Sequence, residues 1–224
     1  MDSTAIAAQG IEAQAWVNAM AIAYFVLLLF ALDFNRRLMA LIFVPFSLGG
    51  EYVFSDVLRL YSYRLGEIPI YVPFGHAILF SMGVLYSELS CVRNYQAQLR
   101  PVFSCTYVAL LFAAVVFFHD TLSLIFAGAF IWVLQRKGYQ TLYFIMGFLV
   151  LYVELVGTAC GSWVWHPHPF NWPWLEAANP PVAAFACYVL ADLGVMKIAR
   201  HLKAQKSRLL VSVGMNDNMI KRFN

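Results

Sequence analysis

Two glutamates, Glu51 and Glu154, stand inside otherwise apolar runs, and they are the residues whose type and placement most directly suggest chemistry. An ionisable side chain in hydrocarbon costs roughly 2.5 to 3.5 kcal/mol on insertion scales, so it must be paired, hydrated or neutral. Burial favours the neutral acid, and a protonated glutamic acid in an apolar pocket is a ready proton donor. His76 follows Pro73 and Gly75 near the start of another apolar run, where it is either a candidate acid or base or a ring that only satisfies a backbone carbonyl. Asp56, His119 and Asp120 complete the candidate acids and bases. Each also has a purely structural reading. Glu51 and Glu154 can serve as polar glue between helices. His119-Asp120 can be a cap and turn before Thr121, and Asp56 can pair with Arg59 at the surface.

Aromatic residues follow both glutamates. Glu51-x-x-x-Ser55 is followed by Tyr61-x-Tyr63, and Glu154-x-x-x-Thr158 by Trp163-x-Trp165, with the second spacing shorter by one residue. Aromatic faces stabilise a carbocation, so an acid beside them suits proton-initiated chemistry on an alkene. Hydration, cyclisation or double-bond isomerisation would follow from the group that ends the reaction. Tyr61, Tyr63, Trp163, Trp165 and His166 are the candidate substrate contacts. The same aromatics also suit an interfacial belt.

Motifs of soluble enzymes are missing: there is no G-x-S-x-G, no glycine-rich phosphate loop and no H-E-x-x-H. The proposed chemistry needs no cofactor. Histidine and carboxylate ligands from His76, His119, Glu51 and Glu154 would suit zinc or iron, which keeps a metal-dependent membrane lipid hydrolase as an alternative. No pair among them has a helix-face ligand spacing. The four cysteines show no C-x-x-C pattern and read as packing residues.

The stretch Glu51-Tyr52-Val53, then Tyr61-x-Tyr63, Leu65-Gly66, Pro69 and Val72-Pro73 resembles the segment E-Y-V…Y-x-Y…L-G-x-P…P of the carotenoid hydratase family. In size and helix count the chain is also similar to the small membrane terpene cyclases. The resemblance implies a seven-helix membrane enzyme acting on an isoprenoid, with Glu51 at the position of a family acid. Glycines expected between Glu51 and Tyr61 are absent, and His76 stands where an aromatic residue is expected. Those departures bear on the substrate.

These residues must be positioned by membrane helices. The 224-residue chain is 62% hydrophobic and 12% charged, with a mean hydropathy of +0.68, far from a soluble domain. At about 20 apolar residues per crossing, seven segments emerge: 15–34, 38–60, 70–92, 101–118, 121–134, 142–163 and 181–199. The expected fold is therefore an all-α polytopic bundle over 15–200, between a polar segment, 1–14, and a basic tail, 201–224. The N-terminal segment lacks Lys and Arg, so the first apolar run reads as a retained helix and not a signal peptide.

Alternating the loops between two sides places 13 of the 15 Lys and Arg on one side, leaving Arg59 and Arg64 on the other. The positive-inside rule makes the basic side cytoplasmic, with the N-terminus outside and the C-terminus inside. Glu51, Asp56, Glu67, His76, His119, Asp120, Glu154, His166, His168 and Glu176 then all fall toward the outer side, compatible with one outward-facing cavity. The echo between the second and sixth segments suggests two parallel three-helix repeats joined by the fourth helix. That 3+1+3 plan is shared with the small sugar transporters called SWEETs, so a transporter of a polar solute is a second reading. A receptor or assembly subunit is a third. The expected partners are the lipid bilayer and a lipophilic small molecule. The basic residues sit in short clusters between apolar runs, as membrane topology produces, and no nucleic-acid partner is expected.

Overall fold

A computed structural model describes residues 2–11, 13–137 and 141–212. Each of the seven apolar segments contains one long helix: α2 (Gln14–Ala31), α3 (Phe34–Glu51), α4 (Tyr71–Ser87), α6 (Gln96–Phe118), α7 (Leu122–Lys137), α8 (Thr141–Ala159) and α9 (Ala186–Ser212). A single turn, α1 (Thr4–Ala7), precedes them, and α5 (Ser90–Asn94) links α4 to α6. Among the described residues, four stretches are long and apolar enough to cross a membrane: α2, α6, α8, and α3 with its continuation to Val57. Within α7, Leu122–Gln135 is a shorter apolar stretch.

The helix boundaries follow local chemistry. Asp33 caps α3, its Oδ1 accepting from the amides of Asn35 and Arg36 at 2.9 and 3.1 Å. Pro45 lies inside α3, where its missing N–H removes one ladder hydrogen bond. Beyond Glu51 the helix widens into a π-helical turn, Tyr52–Val57. α9 continues past residue 200, so the bundle and the start of the basic tail share one helix. Residues 213–224 of that tail lie outside the described residues.

The expectation of an all-α chain is corrected in one place. Tyr61–Tyr63 and Trp163–Trp165 form strands β1 and β2, paired antiparallel with Tyr61 opposite Trp165, Ser62 opposite Val164 and Tyr63 opposite Trp163. Trp163, expected at the end of a helix, belongs to this ribbon because α8 stops at Ala159. The ribbon packs with Leu60, Val72, Leu122, Leu175 and Ala184 in a small core at one end of the bundle.

Within the bundle, α3 packs on α4 and α9, and α4 packs on α2 and α8. α7 lies against α9, while α6 covers α7 and α8. Two further apolar clusters fill the interior. Phe25, Phe43, Phe80 and Met146 form one, with Phe43 stacked on Phe80 at 4.9 Å. Tyr107, Phe130, Phe144 and Phe185 form the other through tilted and edge-to-face contacts. At the end opposite the ribbon, Arg36 bridges Asp33 at 3.0 Å and Glu88 at 2.7 Å. Glu88, at the end of α4, is thereby tied to α3.

Candidate functional site

Glu51 is the last residue of α3, where the π-helical turn and a left-handed residue, Arg59 with φ of 51°, reverse the chain. The reversal aims β1 back at the helix it came from. Tyr61 Oη donates to Glu51 Oε2 at 2.6 Å, and Tyr63 Oη donates to the same oxygen. His76 of α4 places Nε2 3.4 Å from Glu51 Oε1. Both carboxyl oxygens of Glu51 therefore face polar hydrogens or a titratable ring. Burial first, and then the Glu51 charge, raise both phenols well above their usual value, so Tyr61 and Tyr63 act as donors.

Glu154 repeats this arrangement from α8. Thr158 Oγ1 donates to the Glu154 carbonyl at 2.7 Å, and Gly161, with φ of 69°, reverses the chain. The indole nitrogens of Trp163 and Trp165 then donate to Glu154 Oε2 at 2.9 and 3.0 Å. Gly157 makes this possible. A Cβ there would collide with the six-membered ring of Trp163, so only glycine lets the indole lie against α8 and reach Glu154. Among the described residues, Glu154 Oε1 has no hydrogen-bond partner.

The antiparallel register sets the two halves face to face. Tyr61 and Trp165 rings lie 4.6 Å apart, and Tyr63 and Trp163 rings 6.3 Å apart. Glu51 and Glu154 are 6% and 8% exposed, so their proton exchange is with the cavities they line.

Two cavities meet at this centre. One, of about 600 Å³, lies between α3 and α9, with Phe43, Pro45, Phe46, Gly49, Gly50, Ala184, Cys187 and Ala191 on its walls. The other, of about 230 Å³, lies between α4 and α8, against Val72, Gly75, Leu79, Val153 and Trp163. Glu51, Tyr61, His76, Glu154, Trp165 and Tyr188 line both. They form a polar partition between two largely apolar chambers. The larger chamber reaches the bundle surface at Gly49, Val53 and Leu190, which are exposed on their helices.

Of the residues singled out in the sequence, Glu51, His76, Glu154, Tyr61, Tyr63, Trp163 and Trp165 come together here. Four others line neither chamber. Asp56 is exposed on the π-helical turn. His119 is the exposed left-handed cap of α6. Asp120 is fully buried, but its Oδ1 accepts from the Ser123 amide and its Oδ2 from the Val182 amide, both at 3.1 Å, so it ties the α6–α7 turn to the segment before α9. His166 lies on the outside of the ribbon, Nε2 2.7 Å from Ser62 Oγ. Glu67 and His168 are exposed, and the Glu176 backbone is tethered to Thr121 and Leu122. In place of one outward-facing cavity shared by all ten residues there is a compact centre of three, Glu51, His76 and Glu154, and the other seven line neither chamber.

Tyr188 was not legible as a site residue. A tyrosine in an apolar run reads as core, and only the fold sets its ring 4.5 Å from His76 in edge contact. The donor set His76, His119, Glu51 and Glu154 is not assembled, because His119 lies on the surface. Among the described residues no three His, Cys, Asp or Glu side chains are disposed to hold a metal ion. No family model, curated protein or solved structure matches this chain.

Proposed function

We propose that this chain is an integral membrane enzyme that performs acid and base chemistry on the double bond of a lipophilic, isoprenoid-like molecule. The observation that carries this reading is the polar partition: two buried carboxyl groups with different hydrogen-bond surroundings, facing a mainly apolar chamber that reaches the bundle surface. A soluble substrate would be poorly served by walls of Phe43, Pro45, Phe46 and Leu60. A molecule dissolved in the bilayer would enter between α3 and α9 and bring one end to the ribbon.

The two glutamates take different roles. Glu51 accepts from two phenols and has His76 beside its other oxygen, a setting in which the pair can take up a released proton and serve as the base. Glu154 has donors on Oε2 alone, leaving Oε1 to carry a proton toward the chamber. Glu154 delivers that proton to an alkene carbon, and the cation forms against the faces of Tyr61 and Trp165. Either an adjacent C–H or an added water then releases one proton to Glu51 or His76. One proton enters and one leaves, so isomerisation, cyclisation and hydration differ only in the terminating step.

Seven crossings, with the ribbon end outside and the basic end of α9 in the cytoplasm, agree with the placement of 13 of 15 cationic residues. Helix packing supports the two-repeat plan. The third helix of each trio lies on the second helix of the other, α4 on α8 and α9 on α3, and the ribbon register is two-fold about Ser62 and Val164. The similarity to carotenoid hydratases and membrane terpene cyclases, which sets Glu51 as an acid, is modified in this reading. Glu51 becomes the base and Glu154 the donor.

The test is conversion of isoprenoid alkenes by membranes holding the protein, followed by mass spectrometry. Glu154→Gln should abolish product while leaving expression and helical content unchanged. Undiminished turnover in that variant would remove the assignment. Accumulation of a polar solute in proteoliposomes, with no alkene conversion, would favour the transporter instead.

A further inference from the structure

A second site lies far from the glutamates, at the opposite end of the bundle. A groove of about 810 Å³ runs between α7 and α9, lined by Trp132 and Val133 on one side and by Leu193, Lys197, Ile198, Arg200, His201 and Leu202 on the other. Lys197, Arg200 and His201 are spaced at i, i+3 and i+4, which stacks them on one helical face. All three are exposed, and among the described residues no carboxylate stands within ion-pair distance of them. Arg200 Nε turns to the Met196 carbonyl at 3.3 Å, which orients its guanidinium along the helix.

The groove is apolar as well as basic. Trp132, Ile198 and Leu202 are 48%, 38% and 43% exposed, a cost in water that disappears against acyl chains. The seventh apolar segment ends at residue 199, so Lys197, Arg200 and His201 flank the point where the chain leaves the hydrocarbon, at headgroup level. A free anion would need the cations but not the apolar wall. A peptide would not select this depth.

We infer that the α7–α9 groove is a binding site for an anionic phospholipid, whose phosphate is held by Lys197, Arg200 and His201 and whose acyl chain lies against Trp132, Ile198 and Leu202. Basic pockets between membrane helices at the headgroup level have the chemistry for this. The lipid fills the seam between α7 and α9, so its binding stabilises the packing of these two helices.

The experiment uses the full chain purified in detergent and read by native mass spectrometry, with phosphatidylglycerol, phosphatidylcholine or inorganic phosphate added. Phosphatidylglycerol should be retained in preference to phosphatidylcholine. The double variant Lys197→Gln/Arg200→Gln should weaken retention about tenfold or more, as expected for two lost charges. The charge-keeping variant Lys197→Arg/Arg200→Lys should retain the lipid and so controls for folding. Equal retention of both lipids, unchanged retention in the neutral double variant, or displacement of the lipid by millimolar inorganic phosphate would each overturn the assignment.

Discussion

Tyr61 faces Trp165 across the ribbon with ring centroids 4.6 Å apart, yet the two side chains serve different acids. The phenol donates to Glu51 and the indole to Glu154. The aromatic contact therefore couples the two carboxyl groups mechanically, and a displacement of one ring alters the donor set of the other glutamate. It also places two π faces where a cation would form between an acid and a base.

The first prediction concerns the charge on Glu51. A hydrogen bond to an ionised group contributes about 1.5 to 3 kcal/mol, and a neutral one about 0.5 to 1.5. Tyr61→Phe keeps the ring and removes the donor, so it should cost about 1.5 to 3 kcal/mol if Glu51 is a carboxylate. In a Glu51→Gln background the same change should cost only about 0.5 to 1.5 kcal/mol. Reversible unfolding in mixed micelles measures both. Equal costs would mean that Glu51 is neutral.

Gly157 supplies the second. Adding a methyl group in Gly157→Ala drives the Trp163 ring off α8, and overpacking of this kind costs about 1 to 3 kcal/mol. Because Trp163 Nε1 then leaves Glu154, alkene conversion should fall further than the loss of folded protein explains. Activity normalised to folded protein, measured beside the unfolding midpoint, checks this. Normal specific activity in a destabilised variant would show that Trp163 has no part in holding Glu154.

How far this site was legible from sequence depended on the kind of signal. Glu51 and Glu154 stood out because charge in an apolar run is costly, and that cost is readable without a fold. The echo of paired aromatics was readable too, but its meaning was not. A three-residue strand lacks the length for a periodic pattern, so Trp163-x-Trp165 looked like the end of a helix or an interfacial belt. His119, Asp120, Asp56 and His166 were drawn in because depth along a helix can be estimated from sequence, whereas the direction of a side chain around it cannot. Tyr188 was missed for the same reason. The helical segments were readable from hydropathy, while the π-helical turn after Glu51 depends on tertiary packing and left no such mark.

A third prediction uses the two phenols. Tyr61 and Tyr63 hold their protons well above the usual phenol value, first through burial and then through Glu51. In the unfolded chain both would ionise near pH 10. Their contribution is therefore fully present below about pH 10 and is lost as pH rises through the folded-state values. Phenolate absorbance should show a fraction of the tyrosines, Tyr61 and Tyr63 among them, that resists ionisation until the protein unfolds, and the double variant Tyr61→Phe/Tyr63→Phe should shrink that fraction by two. A wild-type protein in which every tyrosine ionises near pH 10 while still folded would contradict the buried donor geometry.

The last prediction concerns what holds the ribbon in place. Asp2 is buried, its Oδ1 accepting from Arg64 Nε and Nη2 at 2.9 and 2.7 Å and its Oδ2 from Tyr71 Oη at 2.8 Å. Ser162, just before β2, donates to the Asp2 carbonyl, and the Thr4 amide donates to Cys160 at 3.0 Å. The N-terminal segment thus ties the loop after β1 to the approach to β2, beside both glutamate centres. Breaking a buried ion pair by removing one member costs about 3 to 5 kcal/mol, so Asp2→Ala, which takes away the carboxylate bound by Arg64 and Tyr71, should be strongly destabilising. Replacing both members by apolar residues of similar size, Asp2→Leu with Arg64→Met, should recover much of that loss. If the tether also orders the ribbon, the double variant will regain stability without regaining full turnover, because Tyr71 and the segment before β2 still lack their anchor. Thermal unfolding and alkene conversion measured on the same preparations separate the two effects. Full recovery of both would reduce Asp2 to a charge partner of Arg64 alone.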